Sequence, residues 1–157
     1  MAAHNQAPKH AKDIFTQQVL DRLAVAIAEV EKGTSCEVRI AIREERDSHE
    51  AALPIEDIAK GEFLKLEMDK TAGRNSILLF ILFEERKFYI YGDEGIHTRV
   101  DPNTWEDVAA TLRENFKHGE YESGIQDALL KILSHVRIHF VPSDENPNEL
   151  SNEVIIG

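Results

Sequence analysis

Residues 75–96 read Asn-Ser-Ile-Leu-Leu-Phe-Ile-Leu-Phe-Glu-Glu-Arg-Lys-Phe-Tyr-Ile-Tyr-Gly-Asp-Glu-Gly-Ile, and this stretch is the most informative part of the chain. The unbroken apolar run at 77–83 is typical of a strand buried on both faces. The charged residues 84–87 form a connection short enough for an antiparallel hairpin. The Gly-Asp-Glu-Gly corner at 92–95 then places two carboxylates at an end of the predicted sheet, and sheet ends are where ligands usually bind in open α/β folds.

The rest of the chain alternates between helical and strand patterns. Apolar spacing predicts a helix over residues 9–31, and strict alternation predicts a strand over 36–43. Pro54 is suited to the first turn of a second helix, and Asp101-Pro102 to the start of a third. With a last helix near 121–140, the order predicts a single-domain α/β/α sandwich with a small mixed sheet.

The domain boundaries follow from composition. Residues 1–8 are predicted to be a flexible arm, 9–141 the α/β domain, and 142–157 an extended C-terminal tail rich in Pro, Asn and Glu. A chain of 157 residues is most simply one domain with a substantial core.

Charge and hydropathy limit the classes of function that this chain can have. With 29 acidic and 18 basic residues the net charge is −11, which argues against nucleic-acid binding and is compatible with cations or basic partners. No apolar run is long enough to span a bilayer, and the first ten residues lack the apolar segment of a signal peptide. We therefore expect no direct membrane insertion and, for the chain as written, a cytoplasmic location. The single cysteine, Cys36, allows no internal disulfide and is expected to be a small buried apolar residue.

Several short motifs together resemble the TPM-domain family. They are Thr34-Ser35-Cys36-Glu37-Val38, Arg74-Asn75-Ser76-Ile77-Leu78, Tyr91-Gly92-Asp93-Glu94-Gly95-Ile96, Trp105, and Phe116 followed by Gly119-Glu120-Tyr121-Glu122-Ser123-Gly124-Ile125. Their order and spacing carry the resemblance, over about residues 19–140; the family commonly has Gly at the positions of Cys36 and Ser76. The family includes a thylakoid acid phosphatase, photosystem II repair proteins and many bacterial envelope proteins. The resemblance thus implies the sandwich fold, calcium binding and phosphatase activity as expectations.

An acidic cluster is the first candidate site. If the strand ends meet, oxygen ligands converge on one end of the sheet from Glu37, Asp69, Asn75, Asp93 and Glu94, with Asp101 nearby. Such ligands suit a divalent cation such as Ca²⁺, which needs about six to eight oxygens. The alternative interpretation is that Asp93 and Glu94 cap the following helical turn while Glu37 faces solvent.

Two functions are compatible with these observations. The first is a non-catalytic module that binds a divalent cation and a protein partner, linked to membrane-protein assembly or repair. The second is a weak metal-dependent acid phosphatase, although Cys36 and Arg43 lack the spacing of a cysteine-phosphatase loop. His135 and His139 lie one helical turn apart and could bind a transition metal, but a helix-end position favours capping or solvent exposure.

Overall fold

The computed structural model describes residues 10–142 and 148–157, so the predicted arm at 1–8 lies outside the described residues. Four strands form one sheet in the order β3-β2-β1-β4. The strands are β1 (Glu37–Arg43), β2 (Ser76–Leu82), β3 (Lys87–Gly92) and β4 (Ile155–Ile156). The helices are α1 (Ala11–Ile14), α2 (Gln17–Lys32), α3 (Ile55–Lys65), α4 (Glu94–His97), α5 (Thr104–Lys117) and α6 (Tyr121–Val136).

The strand pairing brings the ends of three strands together. β1 and β2 are parallel, with Glu37 opposite Ser76, and β2 and β3 form the predicted antiparallel hairpin, with Ile77 opposite Gly92. The first residues of β1 and β2 therefore lie beside the last residue of β3. This end of the sheet carries most of the predicted ligands.

Helices cover both faces of the sheet, which confirms the predicted α/β/α sandwich. On one face, side chains of β1 and β2 such as Ile40 and Leu79 pack in one core with α2, α5 and α6. On the other face, Leu78 and Phe80 pack with α3. Every residue of β2 is buried, because helices cover it on both sides. None of the described helices is both long and apolar enough to cross a bilayer.

Two helix starts differ from the sequence prediction. The predicted helix over 9–31 is divided into α1 and α2, because Thr16 caps α2 by accepting a hydrogen bond from the Val19 amide at 3.4 Å. The helix expected to start at Asp101-Pro102 begins at Thr104 instead. Asp101 accepts a hydrogen bond from the Asn103 amide at 2.8 Å, so it forms a turn ahead of the helix.

The C-terminal residues return to the sheet, an arrangement that the sequence patterns do not predict. Ile155 and Ile156 pair in parallel with Ala41 and Ile42 of β1. Val154, just before them, is 5% exposed. The tail therefore covers part of the outer edge of β1.

Candidate functional site

Two buried carboxylates mark the end of the sheet where β1 and β2 begin. Glu37 is the first residue of β1 and is 5% exposed, whereas Asp93 follows β3 and is 3% exposed. The amide of Asp93 donates to the Ser76 carbonyl at 2.9 Å, which extends the hairpin by one residue. The backbone positions of both residues are thus fixed by strand pairing.

Asp93 is neutralised by an arginine. Its two carboxylate oxygens accept hydrogen bonds from Nε and Nη2 of Arg74, each at 2.8 Å. One of these oxygens also accepts the Glu94 amide at 2.7 Å, so Asp93 caps α4, as the alternative interpretation predicts. The same interpretation is wrong about Glu37, which is buried rather than facing solvent. The hydrogen bond to Asp93 raises the pKa of Arg74. The guanidinium therefore provides the positive charge that the predicted cation would have provided.

The neighbouring predicted ligands are more loosely placed. The side chain of Glu94 is 74% exposed and lies 3.5 Å from Nη1 of Arg74. Asn75 donates its amide to the Ser35 carbonyl at 2.6 Å, and its oxygen lies 3.5 Å from the Thr71 hydroxyl. Asp69 is partly exposed in the short turn before β2.

Within residues 10–142 and 148–157, one group of three potential ligands has its donor atoms within 4.8 Å of one another: Asp47, His49 and Glu50. Glu50 is paired with Arg43, which also lies 3.5 Å from Asp47. An arginine thus compensates this group too. The predicted five-residue set remains a prediction.

Glu37 differs from Asp93 because its neighbours include another carboxylate. Its Oε1 accepts the Leu150 amide at 2.7 Å. Burial raises the pKa of Glu37, and the nearby charge of Glu149 raises it further. Glu149 itself accepts the Ala72 amide at 3.3–3.4 Å. The returning tail therefore brings a second carboxylate to the start of β1.

A polar cleft of about 340 Å³ lies beside this carboxylate pair, and its lining includes Arg39, Lys70, Thr71 and Glu149. Arg39 is 9% exposed, and its Nη2 donates to the Glu153 carbonyl at 3.3 Å. Its Nε is buried without a hydrogen-bond partner among the described residues. Burial lowers the pKa of Arg39. The cleft thus combines the carboxylates of Glu67 and Glu149 with the cationic side chains of Lys70 and Arg39, and the Arg39 guanidinium is incompletely hydrogen-bonded.

The sequence interpretation missed Arg74 and Glu149. Arg74 could have been found, because an antiparallel hairpin places the residue that follows β3 beside the residues that precede β2. Nothing in the local pattern marks Glu149, since its position depends on how the tail returns.

The remaining candidates are structural. His135 bonds through Nε2 to Oδ2 of Asp107 at 2.8 Å, and His139 is exposed. Cys36 is 1% exposed, as predicted, and burial raises the pKa of its thiol to about 12. The thiol is therefore protonated at neutral pH, which disfavours a role as a nucleophile.

Comparison with known proteins agrees with the resemblance. A family model described as TPM domain matches residues 9–152, and no curated protein matches the chain. The fold is similar to the NMR structure of BA42 from the psychrophilic bacterium Bizionia argentinensis, with a TM-score of 0.82, 27% identity, and coverage of 90% of this chain and 94% of that chain. It is also similar to the N-terminal domain of a protein from P. gingivalis, with a TM-score of 0.61, 12% identity, and coverage of 80% and 78%. At 12% identity the second likeness shows a shared fold alone.

Proposed function

This chain belongs to the TPM-domain family, and from that premise we propose that it is a non-catalytic domain that binds a divalent cation, Ca²⁺ first among them, and contacts a protein partner. The cation would bind at the start of β1. The partner would connect the domain to membrane-protein assembly or repair, an extension that the family resemblance supports.

The observation that carries the cation proposal is the carboxylate pair of Glu37 and Glu149. Two like charges near each other raise the free energy of the ionised pair, and burial of Glu37 adds to that cost. A divalent cation between them would remove the repulsion and replace the lost hydration. The net charge of −11 supports cation binding in the same direction.

The donor chemistry fits a hard cation at Glu37 and not at Asp93. Glu37 and Glu149 offer carboxylate oxygens of the kind that Ca²⁺ prefers. Asp69 and the Asn75 side-chain oxygen would have to move closer to join them, because the carboxylates of Glu37, Glu149 and Asp69 do not all lie within 4.8 Å of one another. Carbonyls and waters would complete the set. Asp93 does not fit, because Arg74 already holds both of its oxygens. The proposed ligand set therefore keeps three of the five predicted residues and adds Glu149.

Calcium titration of the full chain tests the proposal. We expect amide shifts around Glu37 and Glu149, and a loss of affinity of at least about tenfold in Glu37→Gln and in Glu149→Gln, since each removes a charged ligand. Asp127→Asn, an exposed change on α6, is the matched control and should leave binding unchanged.

The outcomes separate the possible sites. A loss of affinity in Asp93→Asn, with normal binding in Glu37→Gln and Glu149→Gln, would move the cation to the corner that the sequence alone predicts. No localised shift at millimolar calcium would refute the cation proposal.

The phosphatase alternative has no observation of its own in its favour. A direct assay still separates the two functions, because a binding domain does not turn over an ester. Hydrolysis of an aryl phosphate by the purified chain, lost in Glu37→Gln, would replace the proposal with a metal-dependent phosphatase.

The partner half is supported by an apolar surface between α2 and α6. Val25 and Leu130 are 63% and 62% exposed there, beside Leu129 and Leu133. Clustered exposed apolar residues commonly mark protein contacts. The double variant Val25→Ser, Leu130→Ser should weaken co-purification of such a partner without lowering the melting temperature of the domain. Unchanged co-purification would place the contact elsewhere.

A further inference from the structure

The outer edge of β1 is covered in two different ways along its length. Near its start, the Val38 amide donates to Oε2 of Glu31 at 2.8 Å. Near its end, the Ile42 carbonyl accepts the Gly157 amide at 2.9 Å, and the Glu44 amide donates to the Gly157 carbonyl at 3.1 Å. A side chain and a short tail thus cover a strand edge that would otherwise be open to pairing.

The tail shows which side chains this edge accepts. Val154 and Ile156 pack in the core on the α2 side of the sheet, whereas Ile155 packs against the α3 side. Glu153 precedes them, and its charge acts favourably on Arg39. The edge is therefore complementary to an extended segment with an acidic residue followed by three apolar ones.

The attachment of the tail is weak in two respects. The described pairing of β4 joins Ile155 and Ile156 to β1, whereas seven residues of β1 pair with β2. Nε of Arg39 and Oδ1 of Asn152 are buried without hydrogen-bond partners in the described part of the chain, and such unpaired groups oppose docking. The tail should consequently detach at a lower free energy than the β1–β2 ladder.

We propose that the outer edge of β1 is a strand-addition site, at which an extended segment of a partner protein, with an acidic residue followed by three apolar residues, displaces this chain's residues 154–157. Strand addition of this kind gains affinity from main-chain hydrogen bonds and specificity from alternating side chains. The inference goes beyond the proposed function, because it names the surface and the partner segment and requires no cation.

A peptide with the sequence of residues 149–157 is the direct probe. It is added to the isotope-labelled full chain carrying Val154→Asp. This substitution places a charge in the apolar site that Val154 occupies, so the tail should detach and leave the outer edge of β1 open. We expect amide shifts confined to β1 and Glu31. Wild type should need about 100-fold more peptide for the same shifts, because its own tail competes at a high effective concentration.

Matched controls separate strand addition from nonspecific binding of the peptide. The same peptide with Ile155→Pro lacks a ladder donor and should not bind. Val141→Asp places the same charge on an exposed position beyond α6 and should behave as wild type. Shifts outside β1 and Glu31, or equal binding of the proline peptide, would overturn the proposal.

Hydrogen exchange in wild type keeps the proposal testable if Val154→Asp fails to fold. The Glu44 amide bonds to the tail, whereas the Phe83 amide bonds to Arg43 on the other side of β1. Local detachment of the tail predicts protection at Glu44 about 100-fold below that at Phe83. Equal protection would mean that the tail opens only with the whole domain, and the proposal would be wrong.

A second copy of the chain is the competing occupant. Reciprocal exchange of tails would give a wild-type dimer that Val154→Asp cannot form. Light scattering that shows this pattern would replace the partner segment with a second copy of the chain.

Discussion

Asp93 and Glu37 occupy the same end of the sheet and are almost equally buried, yet their surroundings are opposite. Asp93 has a guanidinium on both oxygens and an amide at 2.7 Å. Glu37 accepts the backbone amide of Leu150 at 2.7 Å and that of Glu149, and it lies beside the negative charge of the Glu149 side chain. The contrast shows that burial alone does not indicate the role of a carboxylate at a sheet end. The charge of the neighbouring side chain indicates that role.

The contacts of the corner around Asp93 indicate that it stabilises the fold. Arg74 has φ of 50°, a left-handed conformation that is unfavourable for a residue with a side chain. The ion pair with Asp93 helps to offset that cost. The Gly95 amide also donates to the Arg74 carbonyl at 2.9 Å, so the corner is closed by backbone and side chain together.

The largest expected effect comes from filling the space at Gly95. A Cβ there would lie 2.6 Å from the Arg74 carbonyl oxygen and 2.8 Å from that of Gly73, and neither backbone atom can move aside easily. Gly95→Ala should lower the free energy of unfolding by about 2–3 kcal/mol, measured by urea denaturation.

Gly61→Ala is the matched control, because the Cβ that it adds to α3 would meet no atom within 4 Å outside the helix's own backbone. It should raise the free energy of unfolding by about 0.5–1 kcal/mol. Equal stability of Gly95→Ala and wild type would mean that the corner is not closely packed. A Cβ at Gly92 would lie 2.9 Å from the Ile96 side chain, so the larger Gly92→Val should destabilise in the same direction.

The next largest effect is expected at Asp93. Asp93→Asn keeps the shape and one oxygen for the Glu94 amide but removes the charge that pairs with Arg74. The loss should be about 1.5–2 kcal/mol, near the low end for hydrogen bonds to charged groups because Arg74 is half exposed. Urea denaturation measures it.

Glu94→Gln provides the comparison, since its side chain is 74% exposed and its change should stay within about 0.5 kcal/mol. Similar values for the two variants would contradict the assignment of Asp93 as the structural partner of Arg74. A double-mutant cycle with Arg74→Gln would then show whether the pair is coupled at all.

The sheet was predictable from sequence because its signals are local and strong. The apolar run of β2, the charged turn and the alternation in β1 each specify a strand without reference to the rest of the chain. The helix starts at Gln17 and Thr104 were less predictable, because a single side-chain hydrogen bond, to Thr16 in one case and to Asp101 in the other, moves each start by several residues.

The site was predictable only to the level of which residues share an end of the sheet. Partner choice is a tertiary property: the same Asp93 could have bound a cation or Arg74, and both satisfy its charge. Glu149 and β4 escaped prediction because they lie in a polar tail whose two-residue strand has no periodicity to detect.

The smallest expected effect is at Glu37, and its sign distinguishes the two carboxylates. Glu37→Gln keeps an oxygen for the Leu150 amide and removes the repulsion by Glu149, so we expect a gain of about 0.5 kcal/mol at pH 8. A carboxyl group whose pKa is higher in the fold than in the unfolded chain stabilises the fold at low pH, and this contribution is lost as pH rises through the folded pKa.

The advantage of Glu37→Gln should therefore grow as pH rises above 4.5, the ordinary glutamate pKa, and vanish below it. Urea denaturation of both proteins between pH 4 and pH 8 measures the difference. Asp93→Asn should be destabilising throughout the neutral range, because there the charge it removes is paired. A Glu37→Gln variant that is less stable than wild type at pH 8 would show that Glu37, like Asp93, has a compensating positive charge, and the carboxylate pair would lose its claim to a cation.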